Sequence, residues 1–118
     1  MDQRVLRLAP GRAMMAGAVP LDWEDVRRRY AAGARVPTVA GGKALDVTGV
    51  DDEGIHIRGG SLWTDVIPRR DLERAAELLE RGELSRRPVA FVEEYHETIA
   101  ATRGTSAAHI LKDLGYIA

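Results

Sequence analysis

The sequence predicts an α+β domain: an N-terminal helix, a small bent antiparallel sheet of three to four strands, and a C-terminal group of three helices. Three observations predict it. Apolar residues recur at helical spacing over residues 21–33, the pattern changes to short β-rich runs separated by turn residues over 36–67, and helical spacing returns after Pro68. No connection in the middle stretch is long enough for a crossover helix, so parallel βαβ winding is excluded.

Taken in order, Arg4 to Leu8 is strand-like and the Pro-, Gly- and Ala-rich segment after it has no period, so residues 1–20 read as a flexible lead or edge strand. The apolar stretch Ala13 to Val19 is short and interrupted by Gly17, unlike a signal peptide. Residues 21–118 form the single domain, 21–68 as helix plus sheet and 69–118 as its helical part. In the first helix Trp23, Val26 and Tyr30 make the apolar stripe, Asp22 can cap, Asp25 takes the capping-box position, and Gly33 supplies a left-handed stop. Arg27, Arg28 and Arg29 fall in its last turn, where cations suit the helix dipole.

The strand candidates are Val36 to Ala40, Ala44 to Val50, Ile55 to Arg58 and Leu62 to Ile67, with turns at Gly41-Gly42, Asp51 to Gly54 and Gly59 to Ser61. Leu45 and Val47 share one face of their run, Ile55 and Ile57 one face of theirs, and all four are expected beneath helices. Gly49 marks a bulge that bends the sheet. Next comes a helix with the stripe Leu72, Ala75, Ala76 and Leu79, closed by Gly82, with Glu77 and Arg81 paired on its wet side. Pro88 suits a first helical position, and Val92, Tyr95 and Ile99 carry that helix towards Gly104. Thr105 or Ser106 caps a last helix with the apolar face Ala107, Ile110, Leu111 and Leu114, after which Tyr116 and Ile117 pack back.

Composition narrows the function. The chain has 118 residues, 17 basic against 18 acidic and no cysteine, which removes disulfides, thiolate metal sites and cysteine nucleophiles. A net charge of −1 argues against a polycation made for nucleic acid or anionic lipid, and no apolar run approaches the ~20 residues of a membrane span. The expectation is a cytoplasmic protein with no membrane partner.

Candidate chemistry is sparse. There are 15 arginines and two lysines, and the pairs Arg69-Arg70 and Arg86-Arg87, with Arg27 to Arg29, form a phosphate-contacting surface if the fold unites them; nearby acids give the alternative of an ion-paired, solvated face. Glu93 and His96 have the Glu-x-x-His spacing of a metal ligand pair, but the motif occurs once, and His56 and His109 lie in distant segments. Ser61, Ser85 and Ser106 sit where turns or caps want a hydroxyl, and Gly41-Gly42-Lys43 lacks the spacing of a phosphate loop. No catalytic constellation emerges, and no metal or cofactor is expected, so the reading is a non-enzymatic binding module.

One pattern is more specific. Residues 99–114, with Ala100, Gly104, Ser106, Ile110 and Leu114 at the expected spacing, resemble the helix-turn-helix signature of bacterial DNA-binding proteins. The resemblance implies a tri-helical unit over 69–118 and DNA as partner, with Arg69, Arg70, Arg86 and Arg87 on phosphates and Ser106, His109 and Lys112 in the groove. Arg103 and Thr105, flanking the glycine, depart from the signature, and from Pro88 onward Arg103 and Lys112 face Glu93, Glu94, Glu97 and Asp113. The alternative is a protein-interaction or dimerisation module anchored by Trp63, Phe91 and Tyr116; an enzyme with a site assembled from dispersed residues is a third reading.

Overall fold

The computed structural model describes residues 21–59 and 63–118, so the expectations for residues 1–20, for Gly60 and Ser61 of the turn and for Leu62 lie outside the described residues. Helix α1 (Trp23–Tyr30) precedes strands β1 (Ala34–Pro37), β2 (Ala44–Val50), β3 (Gly54–Gly59) and β4 (Trp63–Pro68). Helices α2 (Arg69–Glu80), α3 (Pro88–Thr98) and α4 (Gly104–Asp113) complete the α+β architecture that the periodicity predicts.

The strands form an antiparallel meander in the order β1-β2-β3-β4. Its register shifts between Val47 and Gly49, so the bulge falls where the glycine marked it. Opposed residues of an antiparallel pair share a face, and the pairs Val36↔Leu45, Val47↔Ile57 and Ile55↔Ile67 therefore build one apolar face, buried to 5% exposure or less. The opposite face carries Arg35, Asp46 and Arg58 as a cross-strand ion-pair ladder, at 3.3 and 3.6 Å, with Thr48 and Thr64 exposed beside it. Helices α1, α2 and α4 accordingly pack against the sheet, and α3 packs on α4.

Helix α1 is capped by Asp22, whose Oδ1 accepts from Glu24 N at 3.0 Å, while Asp25 pairs with Arg28 rather than closing a capping box. Both ends of α1 are fixed by distant partners. Trp23 Nε1 donates to the Asp51 carbonyl at 2.9 Å, and the Tyr30 hydroxyl donates to Asp113 Oδ2 at 2.7 Å, a carboxylate also held by Arg29 Nε at 3.1 Å. The start of the domain is thereby clamped to the end of α4.

Three details differ from the sequence expectation. Strand β1 stops at Pro37 instead of reaching Ala40, because Thr38 N closes the hairpin onto the Lys43 carbonyl and Val39 N turns to His109. Helix α3 ends at Thr98, where Ile99 N and Ala100 N both donate to the Tyr95 carbonyl. Neither Thr105 nor Ser106 caps α4: its N-cap is Arg103, in the left-handed region at φ 71°, with no side-chain cap of its own. Gly104 itself does not take a positive φ; the left-handed residue of the turn is its neighbour Arg103.

Two substitutions test this core. Val47→Asp, at 3% exposure, buries an unpaired carboxylate and lowers stability by about 3 kcal/mol or more in chemical denaturation. Tyr95 is fully buried and its hydroxyl has no hydrogen-bond partner among the described residues, so Tyr95→Phe is neutral or stabilising by up to about 1 kcal/mol.

Candidate functional site

Strand alternation along β4 puts Trp63, Asp65 and Ile67 on the helix-covered face. Ile67 is fully buried, but the helices do not extend over the start of the strand, and Trp63 stays 46% exposed. A cleft of about 390 Å³ opens there between β4 and the α3–α4 connection, lined by Trp63, Asp65, His96, Thr102, Arg103, Gly104, Thr105 and Ser106. A second groove, of about 500 Å³, has Val66, Pro68, Arg69, Arg70, Asp52, Glu53 and Glu73 in its walls. Arg103 lines both, so the two form one continuous surface.

Local chemistry fixes each wall. The Trp63 indole lies over Gly59 across the strand pair, at a position where any Cβ would run into the ring. Arg103 Nε donates to Asp65 Oδ2 at 2.9 Å, holding the guanidinium between the two hollows despite the cost of its left-handed backbone. Burial of Asp65 works against its charge, but Arg103 and the Val66 N–H at 2.8 Å outweigh it and hold the carboxyl below its ordinary range. At the helix start, Gly104 N donates to His96 Nε2 at 3.1 Å, so a side chain of α3 caps α4. Gly104 is required because a Cβ there would lie 2.5 Å from that nitrogen.

The structure brings together some of the residues singled out in the sequence and separates the others. Arg69 and Arg70 line the second groove and Ser106 the first, with Arg103 common to both. Arg69 is committed to Glu73 at 2.9 Å and stacks over Trp23, whereas the Arg70 side chain is 90% exposed, with Asp71 at 3.9 Å as its ion-pair partner among the described residues. Arg86 lies at the other end of α4, about 15 Å along the helix, where it donates to the Leu79 and Tyr116 carbonyls and acts as a structural clasp for the C-terminus. Arg87 is exposed at the N-cap of α3.

The expected groove-facing set is split. His109 is 8% exposed and accepts from Val39 N at 3.1 Å, which corrects its placement as an outward-reading side chain: the ring is enclosed by the β1–β2 hairpin. Lys112 is exposed and reaches the Val39 carbonyl at 3.4 Å. Of the proposed interface anchors, Phe91 is fully buried and Tyr116 partly so, leaving Trp63 accessible. Burial of Phe91, which the Val92, Tyr95 and Ile99 stripe did not include, follows from its place one turn before Tyr95, with the ring centroids 5.7 Å apart.

The Glu93 and His96 spacing is used differently from a ligand pair, since the His96 Nε2 lone pair is taken by Gly104. The three metal-ligating side chains that do converge among the described residues are Asp51, Glu53 and His56. Their hydrogen bonds close the β2–β3 turn: Asp51 accepts from Glu53 N and Gly54 N, and its other oxygen meets His56 Nε2 at 2.8 Å. No helix of the described residues is long and apolar enough to cross a membrane.

Sequence reasoning assigned no role to Arg103 or Asp65. The available signal was Arg103 itself, a charged residue where the resembled signature prefers an apolar one. Compared with protein-family models, curated proteins and solved structures, the chain matches none.

The contact across Gly104 is open to a thermodynamic cycle. Gly104→Ala destabilises by about 1 kcal/mol or more, His96→Ala removes the cap at a similar cost, and the double variant loses less than the sum, with a coupling of about 1 kcal/mol in denaturant titrations.

Proposed function

We propose that the protein is a non-enzymatic nucleic-acid-binding module that holds a single strand along the Trp63–Arg103 surface. The observation that carries this reading is the exposed Trp63 indole at the lip of a cleft whose other wall carries Arg103 and the hydroxyls of Thr102, Thr105 and Ser106. A base stacks on an indole whatever its sequence, and guanidinium and hydroxyl groups within the same cleft suit the adjoining phosphates. Arg70, nearly free of partners, extends the phosphate path into the second groove.

This reading keeps the nucleic-acid partner and changes how it is held. Helix α4 buries Gly104, Ala107, Ala108, His109, Ile110 and Leu111, leaving Thr105 and Lys112 exposed and Ser106 and Asp113 half-buried, too few side chains to read a major groove. One observation favours the alternative of a protein partner: Arg69, Arg70 and Arg103 all face carboxylates, and an aromatic residue rimmed by such pairs is also the make-up of an interface hot spot.

Fluorescence anisotropy at low salt, with mixed-sequence single-stranded and duplex probes, separates these readings. Three guanidiniums share the surface with Asp52, Glu53, Asp65 and Glu73, so single-strand affinity is modest, with Kd about 10–100 μM, and falls with salt. Trp63→Ala weakens binding about tenfold. Asp65→Asn strengthens it about fivefold by removing the carboxylate that competes for Arg103, and Lys112→Glu leaves it unchanged. Loss of duplex binding in Lys112→Glu would restore the α4 reading. Absence of binding to either probe at about 100 μM protein would transfer the surface to a protein partner.

A further inference from the structure

Two of the three histidines hold α4 in place by accepting backbone hydrogen bonds. His96 Nε2, on α3, accepts from Gly104 N at 3.1 Å; His109 Nδ1, on α4, accepts from Val39 N at 3.1 Å. A backbone N–H can only donate, so the ring nitrogen opposite it has to present a lone pair. The hydrogen bond in each case is made only while the facing ring nitrogen carries no proton. Adding a proton to either facing nitrogen turns the acceptor into a donor and sets N–H against N–H.

The two bonds do different work. The His96 bond satisfies the first amide of α4, where the N-cap Arg103 offers no side-chain acceptor. The His109 bond joins residues 70 positions apart and binds the β1–β2 hairpin to the flank of the helix. We propose that His96 and His109 form a proton-operated latch: neutral rings fasten α4 to α3 and to the β1–β2 hairpin, and mild acid releases both contacts.

The charged surroundings support release rather than compensation. His96 shares its cleft with Asp65 from β4 and Arg103 from the loop, which engage each other at 2.9 Å; the Tyr95 ring meets it edge-on at 6.1 Å, and Glu93 and Glu97 are its neighbours along α3. His109 has Lys112 one turn further along α4 and Lys43 across the hairpin, and no carboxylate of the described residues pairs with it. Burial alone lowers its affinity for a proton. The folded chain therefore holds fewer protons at His109 than the unfolded chain. The stability this provides is complete above the ordinary imidazole range and is lost as pH falls through the folded value. His56 differs in geometry, since its Nε2 faces a carboxylate oxygen, Asp51 Oδ2, at 2.8 Å and accepts from no backbone N–H of the described residues. It serves as the internal control.

Amide hydrogen exchange of the full chain, followed by NMR without any ligand, tests the latch independently of the nucleic-acid reading. Between pH about 7.5 and about 5.5, after correction for intrinsic exchange, protection of Gly104 and Val39 is expected to fall about tenfold, while that of Ile57 at the sheet centre holds. His96→Gln puts a non-titrating acceptor near the Nε2 position and makes Gly104 protection independent of pH; His109→Asn does the same for Val39. His109 is buried and its replacement risks the fold, so the exposed His96→Gln variant and the parent profile carry the test by themselves. His56→Gln leaves both profiles as in the parent. The latch is overturned if parent protection at the two amides is the same at both pH values, if the fall at Gly104 persists in His96→Gln, or if His56→Gln removes it.

Discussion

Everything else in the fold follows from a sheet that has one apolar face and no crossover connection. Val36, Leu45, Val47, Ile55, Ile57 and Ile67 line that face, and the other is held by the Arg35–Asp46–Arg58 ladder. At about 25 cal/mol per Å² of apolar surface, covering the first face is a large favourable term, so α1, α2 and α4 pack against it and α3 packs on α4. This packing places α4 between α3 and β1, and the helical cover runs out at the start of β4. Enclosure of α4 and exposure of Trp63 are two results of the same constraint.

Most of this was legible in the sequence, because each element announces itself locally. The switch from period 3.6 to period 2 and back located the helices and the sheet, Gly49 marked the bulge, and Pro88 marked the start of α3. The candidate site was legible only in fragments. Ser106, His109 and Lys112 recur at i, i+3 and i+6, a polar stripe that reads as an outward face. The Val39 N–H that makes a buried imidazole tolerable at His109 comes from 70 residues away, and no local rule reveals it. Likewise the alternation of Trp63, Asp65 and Ile67 shows that they share a face, but not that Asp65 meets a guanidinium 38 residues later.

The same distinction runs through the helix termini. Asp22 caps α1 from its own sequence neighbourhood, as local rules expect. Pro68, Arg87 and Arg103 at the starts of α2, α3 and α4 give no side-chain cap, and for α4 the missing acceptor comes from His96 on another helix. A cap borrowed through tertiary structure makes the helix end conditional on the packing around it. The arrangement also concentrates constraint: Gly104 has to lack a Cβ to admit the imidazole, and Arg103 has to bear the left-handed turn that a glycine would take more easily.

The arginine content has a related explanation. Arg27, Arg28, Arg74 and Arg81 pair with acids one turn away, Arg35 and Arg58 pair across strands, and Arg29 and Arg103 pair over long range. Pairs at this exposure contribute about 0–1 kcal/mol each, so they do little for stability. Their larger effect is on the field around the molecule: with most guanidiniums of the described residues facing a carboxylate, the long-range potential that steers polyanions is weakened. On the proposed reading, binding at the Trp63–Arg103 surface then has to arise from contact, by stacking on the indole and exchange of the Asp65 carboxylate for a ligand's anion. Such a surface discriminates by whether a planar group and an anion reach it together, which a net count of basic residues does not report.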